Sequence, residues 1–143
     1  MPQFRRAVLL CVATLLPLST IGHAQGDTKK PESKRPQLTL KASPTSGVVP
    51  VSILGVAELK GGSDDFEEFY CAGMEWDWDD GTVSESSNDC EPYESGKSQI
   101  RRRFTVTHSY KQGGRYRIAF RLKQKSKTVG LATAVVQLLS TTY

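Results

Sequence analysis

A chain of 143 residues suits one domain rather than two, because single cores commonly take about 100–200 residues. Its formal net charge of +4 is modest. Beyond the first two dozen residues no stretch approaches the roughly 20 apolar residues that a bilayer core requires, which excludes a membrane span from the body of the chain.

At the start, Arg5 and Arg6 supply positive charge, Ala7 to Leu18 is an almost unbroken apolar run, and Gly22-His23-Ala24 ends in the small residues that signal peptidase favours. Residues 1–24 are therefore expected to be a cleaved signal peptide. The apolar run is too short for a retained anchor. Cys11 lies within it, behind Val8-Leu9-Leu10 rather than a small residue, which argues against lipid attachment. Export places the product in the periplasm or the medium. Two cysteines then remain, Cys71 and Cys90, and an even number in an oxidising compartment is expected to form a disulfide rather than two free thiols.

Residues 25–36 are polar, charged and punctuated by proline, and bury too little apolar area to offset the entropy of ordering; a disordered leader is expected. From residue 37 to 143 the pattern changes to short alternating runs between turn formers, as in a half-buried antiparallel sheet. Leu38 and Leu40 alternate with Thr39 and Lys41, Ser43 to Gly47 makes a turn, and Val49 to Val56 forms a second strand with Pro50 at its start or on an edge. Residues 57–70 read as a long acidic loop, functional or mobile. A third strand runs from about Cys71 to Trp78, closed by Asp79-Asp80-Gly81. After a polar loop over 84–98, alternation returns at 101–107 with Phe104 and Val106 inward. In the next strand Tyr116, Ile118, Phe120 and Leu122 share one face and Arg115, Arg117, Arg121 and Lys123 the other. In the last, Val129 to Leu139, both faces are rather apolar and partial cover is expected. Six or seven strands at this spacing favour an all-β fold of two packed sheets.

Three segments resemble the PKD (polycystic kidney disease) domain family. Trp76-Asp77-Trp78-Asp79-Asp80-Gly81 is similar to its Trp-Asp-aromatic-Gly-Asp-Gly signature, and His108 to Tyr116 to its His-x-Tyr and Gly-x-Tyr segment, with Tyr110, Gly114 and Tyr116 in place. Ser43 to Pro50 is similar to its first turn. The resemblance implies an immunoglobulin-like β-sandwich of about seven strands. It also implies that Asp77, Asp80 and His108 hydrogen-bond strand ends and turns rather than perform catalysis. Asp79 departs from the pattern, standing where the family usually has glycine. Trp76 is expected to anchor the core, with Trp78 on the same face.

Charge is segregated: residues 58–95 hold 13 of the 15 acidic residues, whereas 97–127 hold 11 lysines and arginines and no acid. Asp64, Asp65, Glu67, Asp79 and Asp80 are weak candidates for a Ca²⁺ site, without EF-hand spacing, and no metal or other cofactor is expected. Arg115, Arg117, Arg121 and Lys123, about 6.6 Å apart per pair along one strand face, form the candidate binding surface for an anionic partner. Arg101 and Arg103 extend it only if their strand joins the same sheet. Export disfavours nucleic acid. No Gly-x-Ser-x-Gly elbow or His-Glu-x-x-His motif occurs, and Asp77 with Asp79 is a poor glycosidase pair beside a tight turn. The chain is therefore expected to be an exported, non-catalytic module that binds a protein or a glycan at the envelope or outside the cell. The alternatives are a calcium-dependent adhesion module and a small envelope-directed hydrolase or inhibitor.

Overall fold

The computed structural model describes residues 35–141; the expected signal peptide and the leader up to residue 34 lie outside the described residues. Eight strands follow in chain order: β1 (Gln37–Ser43), β2 (Ser46–Val48), β3 (Val51–Lys60), β4 (Gly73–Asp77), β5 (Val83–Ser86), β6 (Arg103–Tyr110), β7 (Gly114–Gln124) and β8 (Lys127–Leu139). A single 3-10 turn, Glu67–Phe69, precedes β4. The strands form a three-stranded sheet in the order β1-β3-β6 and a five-stranded sheet in the order β2-β8-β7-β4-β5. All pairs are antiparallel except β2 with β8. The chain changes sheet between β1 and β2, where Ser43-Pro44 interrupts the first ladder, as proline does by lacking an N–H. The result is an immunoglobulin-like β-sandwich.

Eight strands stand where about seven were expected. β2 is Ser-Gly-Val, too short to show alternation, and lies within the expected turn. β5 is Val-Ser-Glu-Ser at the sheet edge, where only one side is paired and polar residues reach solvent. β3 runs on to Lys60, four residues beyond the expected strand, because Ala57 and Leu59 continue the inward positions.

The core is made by alternate side chains of both sheets. Ile53, Ala57 and Leu59 of β3 and Phe104 and Tyr110 of β6 face Trp76 of β4, Ile118, Phe120 and Leu122 of β7, and Val136 and Leu138 of β8. Full burial of each Val, Leu, Ile or Phe side chain contributes about 1.5–3 kcal/mol. Trp76 and Trp78 are 2% and 0% exposed and stack with ring centroids 5.6 Å apart; Trp76 also meets Phe120 at 4.5 Å. Gly55 makes room for Trp76: a Cβ there would sit 2.6 Å from Trp76 Cζ3, so this strand position admits only hydrogen.

Cys71 and Cys90 form a disulfide, with Cα atoms 6.1 Å apart, that joins the loop before β4 to the loop after β5. These loops are also tied by hydrogen bonds. Tyr70 Oη donates to Glu91 O at 3.0 Å and Tyr93 Oη to Asp65 O at 2.6 Å. Arg102 donates to Leu59 O and Gly61 O and pairs with Asp64. Among the described residues no helix is long and apolar enough to cross a membrane.

Candidate functional site

The turn from β4 to β5 carries the densest polar constellation. Asp79 and Gly81 have φ of +61° and +87°, the left-handed region that favours glycine. Asp79 occupies it because its carboxylate is used: Oδ2 accepts from Arg117 N at 2.8 Å, and Asp79 N donates to Asp77 Oδ1 at 3.1 Å. Asp80 Oδ1 accepts from Thr82 N at 3.0 Å and from Thr82 Oγ1. Its other oxygen accepts from His108 Nε2 at 2.7 Å, linking the turn of one sheet to β6 of the other. The His108 ring stacks on Trp78 at 4.5 Å and meets Tyr110 edge-on at 4.8 Å. Tyr110 Oη donates to Trp78 O at 2.8 Å inside the core. Tyr116 packs on Tyr110 at 4.4 Å, and its hydroxyl donates to Gln112 O; a Cβ on Gly114 would press on the same Tyr116 ring.

Burial pushes the Tyr110 phenol far above its usual range, with the Asp80 charge adding to it. Burial also works to raise the Asp80 carboxyl, but the hydrogen bonds from Thr82 and His108 together outweigh it and hold it below the ordinary aspartate value. A carboxyl depressed on folding stabilises the fold above its unfolded pKa, and that contribution is lost as pH falls through its folded pKa. Asp80→Asn is therefore expected to cost about 1–2 kcal/mol near neutral pH and to flatten the loss of stability on acidification. Urea midpoints of both proteins between pH 7 and 2 check this; parallel curves would refute it.

The five acidic candidates for a cation do not converge. Asp64 pairs with Arg102, and Asp65 accepts from Gly96 N, at the end of the sandwich where Leu59 meets Arg102. Asp79 and Asp80 lie at the other end, where His108 is opposite Ile53. Six strand residues separate the two places, about 20 Å. Glu67 opens the 3-10 turn. Among the described residues no group of three His, Cys, Asp or Glu side chains is arranged to hold a metal ion.

The basic strand face is divided rather than continuous. Arg115, Arg117, Arg121 and Lys123 do share the outer side of β7, because Ile118, Phe120 and Leu122 point inward. Glu75, opposite Arg121 on β4, takes up half of them: Arg121 Nη1 lies 2.7 Å from Glu75 Oε1 and Lys123 Nζ 2.6 Å from Oε2, with Asp77 and Glu85 nearby. The Lys123 and then the Arg121 contacts hold Glu75 below its ordinary value, while burial opposes them. The expected four-residue cationic surface is thus reduced to Arg115 and Arg117, which are exposed and form no ion pair among the described residues. Arg101 and Arg103 do not extend it, since β6 belongs to the other sheet and Arg103 pairs with Glu58.

The outer side of β8 differs from expectation as well. Leu131, Val135 and Leu139 are not covered but stand 57%, 39% and 61% exposed, and Val48 of β2, opposite Leu139, is 50% exposed. Residue alternation identifies the two faces of this strand, yet which of two apolar faces is open depends on the partner sheet.

No family model matches the chain and no curated protein does. Among solved structures the chain is similar to the PKD domain of an M14-like peptidase from Thermoplasmatales archaeon SCGC AB-540-F20. The identity is 13% over 73% of this chain and 95% of that one, with a TM-score of 0.49. It is also similar to the CARDB domain of the PF1109 protein from Pyrococcus furiosus, solved in complex with di-metal ions (14% identity, 76% and 92% coverage, TM-score 0.46). The solution structure of that CARDB domain gives 15% identity, 73% and 94% coverage and a TM-score of 0.44. By its own strand order, with the turn after β4 tied to His108 and Tyr110 of the other sheet, the chain is an immunoglobulin-like β-sandwich.

Proposed function

We propose that this domain is an exported, non-catalytic module that binds a protein or glycan partner at the cell envelope or outside the cell, through the outer face of its five-stranded sheet. One contrast supports this most strongly. The carboxylates and the histidine that could do chemistry are occupied in holding a turn, whereas the Arg115 and Arg117 side chains stand exposed and make no ion pair among the described residues, the nearby Asp79 carboxylate being spent on the Arg117 backbone N–H. Unpaired surface arginines side by side lose little on desolvation compared with lysines and make directional bonds to anionic groups. The disulfide is in keeping with an oxidising compartment.

Arg115→Ala with Arg117→Ala is expected to reduce retention on an envelope fraction and on an acidic-glycan array at least tenfold. The circular-dichroism melt should be unchanged, because exposed strand substitutions away from caps and cores alter stability by about 0.5 kcal/mol or less. Equal retention of the variant and the parent protein would refute the assignment of this face.

A further inference from the structure

We infer that the outer face of β2, β8 and β7 is a protein-docking surface whose partner presents an apolar centre rimmed by carboxylates. This rests on the binding-module reading above and narrows its partner from protein or glycan to protein. Antiparallel register sets Arg117 opposite Val135 and Arg115 opposite Gln137, and β2 sets Val48 beside Leu139. Opposed residues project from the same side of a sheet, so Arg117 lies beside Val135, Arg115 lies beside Gln137 and diagonal to Leu139, and Val48 stands on the far side of β8 from both. Leu139 and Val135 lie about 13 Å apart on this side with Gln137 between them, and β8 carries no charged residue beyond Lys127.

Three branched aliphatic side chains are left between about two-fifths and three-fifths exposed; Val48 and Leu139 adjoin, and Val135 follows across the uncharged Gln137, a cluster of the sort that marks an interaction site. Arginine beside apolar residues is the composition enriched in protein interfaces, where the apolar centre is fully dried and charge lies at the rim. An acidic polysaccharide would use the arginines but leave the aliphatic strip wet. A second copy would bring two more arginines to the contact and no carboxylate from β2 or β8 to meet them. The stretch preceding the domain is itself basic, with Lys29, Lys30 and Lys34, and shares the sign of the arginines. Charge complementarity therefore selects an acidic partner protein.

A phage-displayed library of random 12-residue peptides, selected on the oxidised domain, tests this. The selected peptides should combine Asp or Glu with Leu, Ile, Val or Phe. Val135→Ser with Leu139→Ser should weaken their binding at least fivefold, and Arg115→Glu with Arg117→Glu at least tenfold, with all variants melting within a few degrees of the parent. Peptides held equally by the aliphatic variant, or selected without acidic residues, would overturn the inference. Dextran sulfate or lipopolysaccharide bound through the arginines, with no peptide selected and no effect of the serine substitutions, would also overturn it while leaving the wider binding-module reading intact.

Discussion

Replacing Trp78 with alanine should lower the unfolding free energy by about 3–5 kcal/mol, the range for deleting a large buried aromatic. This is a major part of the roughly 5–15 kcal/mol available to a domain of this size. The ring is fully buried, stacks with both Trp76 and His108, and donates through Nε1 to Ser84 Oγ at 3.1 Å. Its backbone carbonyl receives the buried Tyr110 hydroxyl. The loss thus combines a cavity, two ring contacts and an altered footing for the Asp80–His108 tie between the sheets. Urea denaturation of the oxidised protein measures it, with Arg115→Ala as a control expected to change stability by about 0.5 kcal/mol or less. A loss under about 1 kcal/mol for Trp78→Ala would mean that this aromatic stack does not hold the sheets together.

Removing the disulfide by Cys71→Ser with Cys90→Ser should cost about 3 kcal/mol, from the chain entropy that a cross-link between residues 19 apart in sequence removes from the unfolded ensemble. With a urea dependence of about 1–3 kcal/mol per molar, the midpoint should fall by about 1–3 M. Reduction of the parent protein should shift it by the same amount. The two loops would keep the Tyr70–Glu91, Tyr93–Asp65 and Arg102–Asp64 contacts in the folded state, so the strands and the arginine face should persist below the new midpoint. Loss of peptide or envelope binding by the folded double-serine variant would instead make these loops part of the binding surface. An unchanged midpoint would show that the cross-link does not constrain the unfolded chain.

The division of the basic strand shows how a sandwich turns one sequence feature into two roles. Arg121 and Lys123 meet Glu75 because β4 pairs with β7 at that level of the sheet, and such partly exposed pairs contribute little to stability. Arg115 and Arg117 lie beyond the last β4–β7 pair, Asp77 with Ala119, so no β4 carboxylate is placed opposite them. What faces them across the ladder is Gln137 and Val135 of β8. The free pair is therefore a consequence of where a five-residue strand ends beside an eleven-residue one.

Periodicity and motif chemistry determined, from the sequence by itself, the all-β class, the inward set of Trp76, Phe104, Ile118, Phe120 and Leu122, the turn at Asp79-Asp80-Gly81 and the cysteine pair. All of these follow from local rules: alternation every two residues, turn formers with particular φ, and thiols counted in one compartment. Tertiary structure alone decided the two short strands β2 and β5, the capture of Arg121 and Lys123 by Glu75, the separation of the acidic loops and the exposure of Val48, Leu131, Val135 and Leu139. Each of these depends on register between strands distant in the chain, or on which sheet covers a face. Neither is encoded in the alternation of a single strand; both are set when the two sheets pack.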